Sequence, residues 1–432
     1  MSKNYATVNP CTMCMPLGSV MAFRGIENTM PFFHGSQGCS TYMRLHLAHH
    51  FREPIDIASS ALSENGAVYG GGANLKQGLR NVIKGYDPRI IGIATTCIAE
   101  TIGEDIPQLI KEFRQEYPGH SDIILIPVST PSFKHSHEEG YNETLRAVVQ
   151  TLAKKDQPSD RFNLIVAAIV SPEDVRYLKQ MLDDCAWSNI LLPDTSETFD
   201  APVVDEPPKI PVGGTRIEDI KDTANSKETV TIGSCSTIIG AGEYLDCKFN
   251  IPNIVLPLPI GLEYSDIFVS KIEMITGTAL SRKYELERGR LLDAMIDSHK
   301  YVAHVKTAIF GNTDIVIGVT KLLTELGMQP EVIATGSDNQ VFEKAARKLA
   351  PDAVVLCNTD FSGIHSEIKK KEIELMIGPF TGRQISKAEH IPLVRLGFPN
   401  HDRMGASRQL ILGYEGAMRL TDTITNTILE NK

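Results

Sequence analysis

At 432 residues the protein is too long for one ordinary hydrophobic core, so two or three domains are expected. Apolar residues make up 42% and charged residues 22%, a globular balance, and the formal charge of -10 argues against nucleic acid as the main partner, because phosphate binding needs a basic face. No apolar run reaches the about 18 residues of a membrane span, and the opening MSKNYATVNP lacks the basic start and apolar stretch of a secretory leader; no membrane association and a cytoplasmic location are therefore expected.

In chain order, short apolar runs alternate with helical stretches. Strands are predicted at 90–94 (IIGIA), 122–128 (DIILIPV), 162–170 (FNLIVAAIV), 189–193 (NILLP) and 229–233 (TVTIG), then at 306–310 (KTAIF), 331–335 (EVIAT), 353–357 (AVVLC) and 374–378 (ELMIG). Most are continuous rather than alternating, as parallel strands buried on both faces should be. Between them, 104–117 places Ile106, Leu109, Ile110 and Phe113 on one helical stripe, and 313–327 gives a second helix. Repeated β–α units predict an α/β protein of three Rossmann-like domains, with mostly parallel sheets flanked by helices. The blocks are drawn at 1–150, 151–300 and 301–432, and the middle one holds a Pro- and Asp-rich stretch at 193–214 that reads as a long surface loop. The third opens with KTAIFGNTD at 306–314, a strand–turn–helix with no GxGxxG, which reads as plain β–α turn chemistry.

The 8 cysteines, at 11, 14, 39, 97, 185, 235, 247 and 357, should be reduced thiols in a cytoplasmic chain. Cys185 and Cys357 read as small apolar fillers, and Cys235 and Cys247 lie near loops with no assigned role. Three others sit on turns. Cys14 lies in NPCTMCMPLG, between an Asn-Pro and a Pro-Leu-Gly turn; Cys39 follows HGSQG; Cys97 follows the strand IIGIATT, at the end where open α/β sheets bind ligands. Glycine beside such a thiol lets the backbone approach a bulky anion, and three thiolates from separate loops suit an iron–sulfur cluster. The Cys11–Cys14 CxxC alone suggests zinc or a redox dithiol, but a zinc ribbon needs a second CxxC, and a thioredoxin-like dithiol would follow a strand and open a helix. On spacing alone, metal or cluster binding and unrelated structural cysteines stand level.

A wider set of segments carries a resemblance. NPCTMCMPLG (9–18), PFFHGSQGCSTYMR (31–44), HFREPIDIASSALSENGAVYGGGANLKQGL (50–79), IIGIATTCIAETIGEDI (90–106), PVSTPSF (127–133), ERGRLLDAMIDSH (287–299), PLVRLGFPNHDR (392–403) and LGYEGAMRL (412–420) resemble the component 1 proteins of nitrogenase, specifically the β-type subunit. The spacings Cys14 to Cys39, Cys39 to Cys97 and Cys97 to Ser132 are 25, 58 and 35, and they match that family's three cluster cysteines and its redox-switching serine.

The resemblance implies an electron-relay subunit. It would pair with a homologous α-type subunit in an α2β2 heterotetramer and share with it an [8Fe-7S] cluster of the P-cluster type, or alternatively a [4Fe-4S] cluster. Cys14, Cys39 and Cys97 would be this subunit's thiolates, with Ser132 ligating one iron when the cluster is oxidised. An ATP-dependent iron protein would supply electrons, which pass to a metallocofactor on the partner where dinitrogen, or another small substrate such as a methylthio-alkane, is reduced. The chain itself would hold no catalytic residue. The alternative within the family is the β-type half of the cofactor-maturation scaffold; outside it stands a non-redox α/β binding protein. The short stretch before Cys14 and the additional Cys11 depart from the conventional molybdenum subunit. Near the ligands, His34 and Gln37 read either as hydrogen-bonding neighbours of the cluster or as turn residues. Arg44 and Arg52 read as structural ion-pair partners, His46, His49 and His50 as a surface or interface group, and Asp293, Asp297 and His299 as solvated helix charges.

Overall fold

The structure, a computed structural model, describes residues 10–431; the reading of Asn9 and the segment before it lies outside them. The described residues form thirteen strands in three parallel sheets. The first sheet joins β1 (Thr29–His34), β2 (Ala58–Ser59), β3 (Ile90–Thr95) and β4 (Ile124–Val128) in the order β2-β1-β3-β4. The second joins β5 (Phe162–Val166), β6 (Asn189–Leu192), β7 (Thr229–Ile232) and β8 (Asn253–Leu256) as β6-β5-β7-β8. The third joins β9 (Lys306–Phe310), β10 (Gln329–Ala334), β11 (Val354–Leu356), β12 (Leu375–Gly378) and β13 (Leu393–Arg395) as β11-β10-β9-β12-β13.

All nine predicted strands are present, with β5 ending four residues early. Four were not predicted. β2 and β13 are too short to show a pattern, β8 is largely half-exposed, and β1 (TMPFFH) carries a proline that argues against a central strand. Even so, β1 is buried throughout and paired on both sides. The helices Ile106–Glu116 and Thr313–Glu325 lie where the periodicity places them, and 193–214 contains no helix or strand.

Two helices bind the sheets together. Met15–Arg24 is buried along its whole length and crosses His137–Leu152 so closely that a Cβ on Gly18 would lie 1.7 Å from the His137 carbonyl oxygen, and one on Gly140 would lie 2.0 Å from that of Met15. Only glycine permits this backbone contact. The second is Thr313–Glu325, buried at most of its positions within an apolar core that runs from Leu164 and Ile232 of the second sheet to Ile309, Ile333 and Ile377 of the third. A separate core joins the first sheet (Phe33, Ile90, Ile126) to Met15–Arg24 and to Ile165 and Leu192 of the second.

Candidate functional site

The neighbouring strands β1, β3 and β4 are in register at their carboxyl ends, where His34 is opposite Thr95 and Ala94 opposite Val128. Parallel strands that end level deliver their following turns to one edge, the place where such sheets gather ligands. After β1 the chain turns at Gly35–Ser36 and enters helix Gln37–Phe51, putting Cys39 in its first turn. After β3, Thr96 caps helix Cys97–Ile102, of which Cys97 is the first residue. After β4, the chain turns through Pro131–Lys134 and presents Ser132. Cys14 arrives from elsewhere. It is the N-cap of helix Met15–Arg24, held by backbone pairing with Ser136 and by Ser132 Oγ, which accepts the Met15 N–H at 3.1 Å.

The structure therefore brings Cys14, Cys39, Cys97 and Ser132 to one edge. Cys14 and Cys97 are exposed, Cys39 is half-buried, and each thiol lies at a helix N-terminus, where unpaired N–H groups favour negative charge. Partial burial pushes the Cys14 thiol above its ordinary value; the Ser132 hydroxyl draws it back, and the charges of Cys97 and Cys39 add to the rise. Tyr42, raised first by desolvation, also feels the Cys14 charge. Ser36 Oγ lies 3.7 Å from Cys39 Sγ. A cleft of about 520 Å³ opens beside Cys14 and Ser132, walled by Tyr42, Phe133, Ser136 and Glu139.

Among the described residues no three His, Cys, Asp or Glu side chains form a group able to hold a single metal ion. The donor set fits a polynuclear cluster instead, in which each thiolate takes its own iron. Large apolar side chains stand exposed near these turns: Tyr42 (48%), Phe133 (63%), Val68 (75%) and Tyr69 (87%).

The remaining expectations divide. Cys11 does not act with Cys14: it is tucked beside Gly336, half-buried against the apolar cluster that holds Phe310, Val332 and Ala334 of the third sheet, and burial raises its thiol to about 12. His34 is fully buried with Nδ1 3.1 Å from Ser60 Oγ and Nε2 3.6 Å from Glu104, contacts that tie it to the sheet; Gln37 is exposed and its carbonyl accepts from Ser40 and Thr41. Arg44 pairs with Asp56 at 3.2 Å, and Arg52 donates to the His401 carbonyl at 2.8 Å. His50 corrects its surface reading. It is buried, accepts the Asn400 N–H on Nδ1 at 2.9 Å, and burial holds it down at about 3. Asp293, Asp297 and His299 are exposed. Sequence reading missed the half-buried carboxylate Glu138 and the buried Glu139, which lines the cleft. Ser136 and Glu139 have capping-box spacing, which marks Glu139, but no local pattern marks Glu138.

The family model for nitrogenase component 1 type oxidoreductases matches residues 14–429. The chain is 39% identical to a nitrogenase molybdenum-iron protein beta chain of Methanococcus maripaludis, over 98% of this chain and 95% of that one. It is 36% identical to the corresponding chain of Clostridium pasteurianum, over 98% and 93%. A solved structure titled Nitrogenase Cp1 at pH 6.5 superposes with a TM-score of 0.96 at 35% identity, covering 100% of this chain and 95% of that one. With a family match along nearly its whole length, the chain belongs to the nitrogenase component 1 family of oxidoreductases, as the β-type subunit of a nitrogenase-like reductase.

Proposed function

We propose that this subunit relays electrons through an [8Fe-7S] cluster of the P-cluster type, giving it Cys14, Cys39 and Cys97 as thiolates and Ser132 as an additional oxygen ligand. The single observation that carries the reading is the delivery of three thiols and one hydroxyl from four separate turns to one edge of the first sheet. Bound there, the cluster supplies reversible one-electron chemistry. The residues of this chain hold it: helix N-termini offset the negative charge, and the Ser132 hydroxyl sits within hydrogen-bonding reach of Cys14. The exposed Tyr42, Phe133, Val68 and Tyr69 suit a covered interface, and the partner is a homologous α-type subunit in an α2β2 heterotetramer. An ATP-dependent iron protein donates the electrons, and the partner's metallocofactor reduces dinitrogen. The domain division at 1–150, 151–300 and 301–432 and a cytoplasmic location belong to the same proposal; among the described residues no helix is long and apolar enough to cross a membrane.

Cys39→Ala tests the assignment. The α-partner complex, purified without oxygen, should lose relay iron and ATP-dependent reduction while keeping the far-ultraviolet circular dichroism of the parent. Full iron and turnover in the variant would refute the ligand set. A parent complex holding only a four-iron cluster would favour a maturation scaffold.

A further inference from the structure

Just past Ser132 the chain enters helix His137–Leu152, and two successive carboxylates there turn in different directions. Glu139 turns back to its own helix start: Oε2 accepts Ser136 Oγ at 2.5 Å and the Ser136 N–H at 3.0 Å. Glu138 reaches across to the third sheet. Its Oε1 accepts the Thr313 N–H at 2.8 Å and the Thr313 hydroxyl at 2.9 Å, and its Oε2 lies 3.1 Å from Ser337 Oγ. Ser337 Oγ lies 3.1 Å from Ser136 Oγ. The result is an unbroken string of side-chain oxygens, Glu138–Ser337–Ser136–Glu139, in which Ser337, Ser136 and Glu139 are buried.

Counting hydrogens shows what the string holds. It has three oxygen–oxygen contacts, at 3.1, 3.1 and 2.5 Å, but only two hydroxyl hydrogens, one on Ser337 and one on Ser136. Ser337 has one hydrogen for its two contacts, so all three contacts are hydrogen bonds only when a third hydrogen sits on a carboxyl. With it on Glu138, the order is Glu138 to Ser337, Ser337 to Ser136, Ser136 to Glu139. With it on Glu139, every donor reverses. The two orders differ by the net passage of one proton between the carboxylates.

The surroundings keep that proton in place. Glu138 faces Glu139 on its own helix, Asp314 on Thr313–Glu325, Cys235 after β7 and Cys11 in the opening segment, none of them cationic, and burial holds the neighbouring His137 neutral, down at about 4. Burial first, then Glu139 and Asp314, push Glu138 up to about 8. Ser136 and Glu139, at the other end, line the cleft that Cys14 and Ser132 also line.

We propose that Glu138, Ser337, Ser136 and Glu139 form a proton store that keeps one exchangeable proton between two carboxylates and trades it with the cleft beside the cysteines. Its link to electron transfer rests on the relay reading above and acts through charge. An electron arriving from the iron protein raises the proton affinity of the nearby carboxylates, a proton enters from solvent through the cleft, and by linkage that bound proton favours the reduced relay.

The test uses the complete complex. Infrared spectra at neutral pH should show a protonated-carboxyl C=O band that shifts in D2O and disappears in Glu138→Gln, whose amide still accepts from Thr313 and donates to Ser337. The relay's midpoint potential should fall as pH rises above about 8 in the parent, where the oxidised store empties, and lose that slope in the variant. Absence of the band in the parent, its persistence in E138Q, or an unchanged potential slope would overturn the proposal. If E138Q does not fold, Ser337→Ala serves, because it cuts the string and should slow deuterium exchange of the band; unchanged exchange would equally overturn it. A complex without cluster iron would instead refute the relay reading, leaving the infrared band to decide the store alone.

Discussion

Along the carboxyl edge of the first sheet, turns after β1, β3 and β4 present Cys39, Cys97 and Ser132 to an open face; along the same edge of the third sheet, the turns after β10 and β11 are covered by the protein's own opening segment. There Pro10 pairs with Asp360, and Cys11 lies beside Gly336. Two cysteines three positions apart in sequence thus meet opposite fates. Cys11 is half-buried against the third sheet and behaves as a small apolar side chain with a thiol held up at about 12, whereas Cys14 stands exposed at a helix cap among other thiols. Cys357 repeats the first pattern, half-buried and raised to about 11, with Sγ 3.6 Å from the Asn339 carbonyl. Residue type and turn chemistry are shared between the edges. What differs is whether the chain covers its own edge or leaves it open.

The sharpest way to break this comparison is to exchange the fates. Cys14→Ala should abolish relay iron and activity in the anaerobic complex with little change in thermal stability, measured by iron content beside a melting curve; retention of iron would erase the distinction. Next in size is Gly35→Ala. A Cβ there would lie 1.9 Å from Thr96 Oγ1, so the turns carrying Cys39 and Cys97 would have to separate. Overpacking of this kind costs about 1–3 kcal/mol. The expected result is a lower melting temperature with partial iron loss, and a variant that binds iron like the parent would show that the turn spacing does not matter.

At the open edge local signals picked out three turn cysteines but left cluster binding level with structural thiols, and Ser132 entered only through the family resemblance. Each thiol sits next to a Gly or Pro turn or at the end of an apolar strand, and 3.6-residue periodicity marked the helices between. The covered edge was not legible. Nothing in CTMC says that Cys11 turns toward Gly336, a contact made across more than 300 residues of chain. β1 was hidden by Pro31, which tertiary pairing accommodates. His50 looked like one of a surface group because HLAHH gathers three histidines in five residues, yet helix Gln37–Phe51 rotates it against Phe398 and Asn400. Glu138 escaped for the same reason: its partners Thr313 and Ser337 come from the helix after β9 and the turn after β10, more than 170 residues away.

The helix bearing Cys39 gives the next prediction, through His50. Burial, with His401 and Arg52 adding to it, holds His50 down at about 3, whereas the unfolded chain protonates it near the ordinary histidine value. Between those values the unfolded state binds more protons, so stability should fall as pH drops through the window. His50→Gln, which keeps an acceptor for the Asn400 N–H, should flatten that limb of a plot of urea midpoint against pH. Glu138 runs the opposite way: raised to about 8, it should make stability decline as pH climbs from the ordinary glutamate value to that point, and E138Q should remove the decline.

The smallest effect belongs to the covered cysteine. Cys11→Ala removes one sulfur from the apolar cluster around Phe310 and Val332 and from the Gly336 N–H. Deleting so small a buried group costs about 1–2 kcal/mol, since the segment can partly collapse onto the gap. Urea unfolding should register that cost while cluster iron and turnover remain at the parent level. The pairing of outcomes carries the argument, because a CxxC metal site would lose metal equally from either cysteine. Equal iron loss in C11A and C14A would mean that the two thiols act together and that the third sheet's edge is not closed in the working protein. Unequal loss, with C11A changing stability alone, would locate the difference between the edges in what covers them.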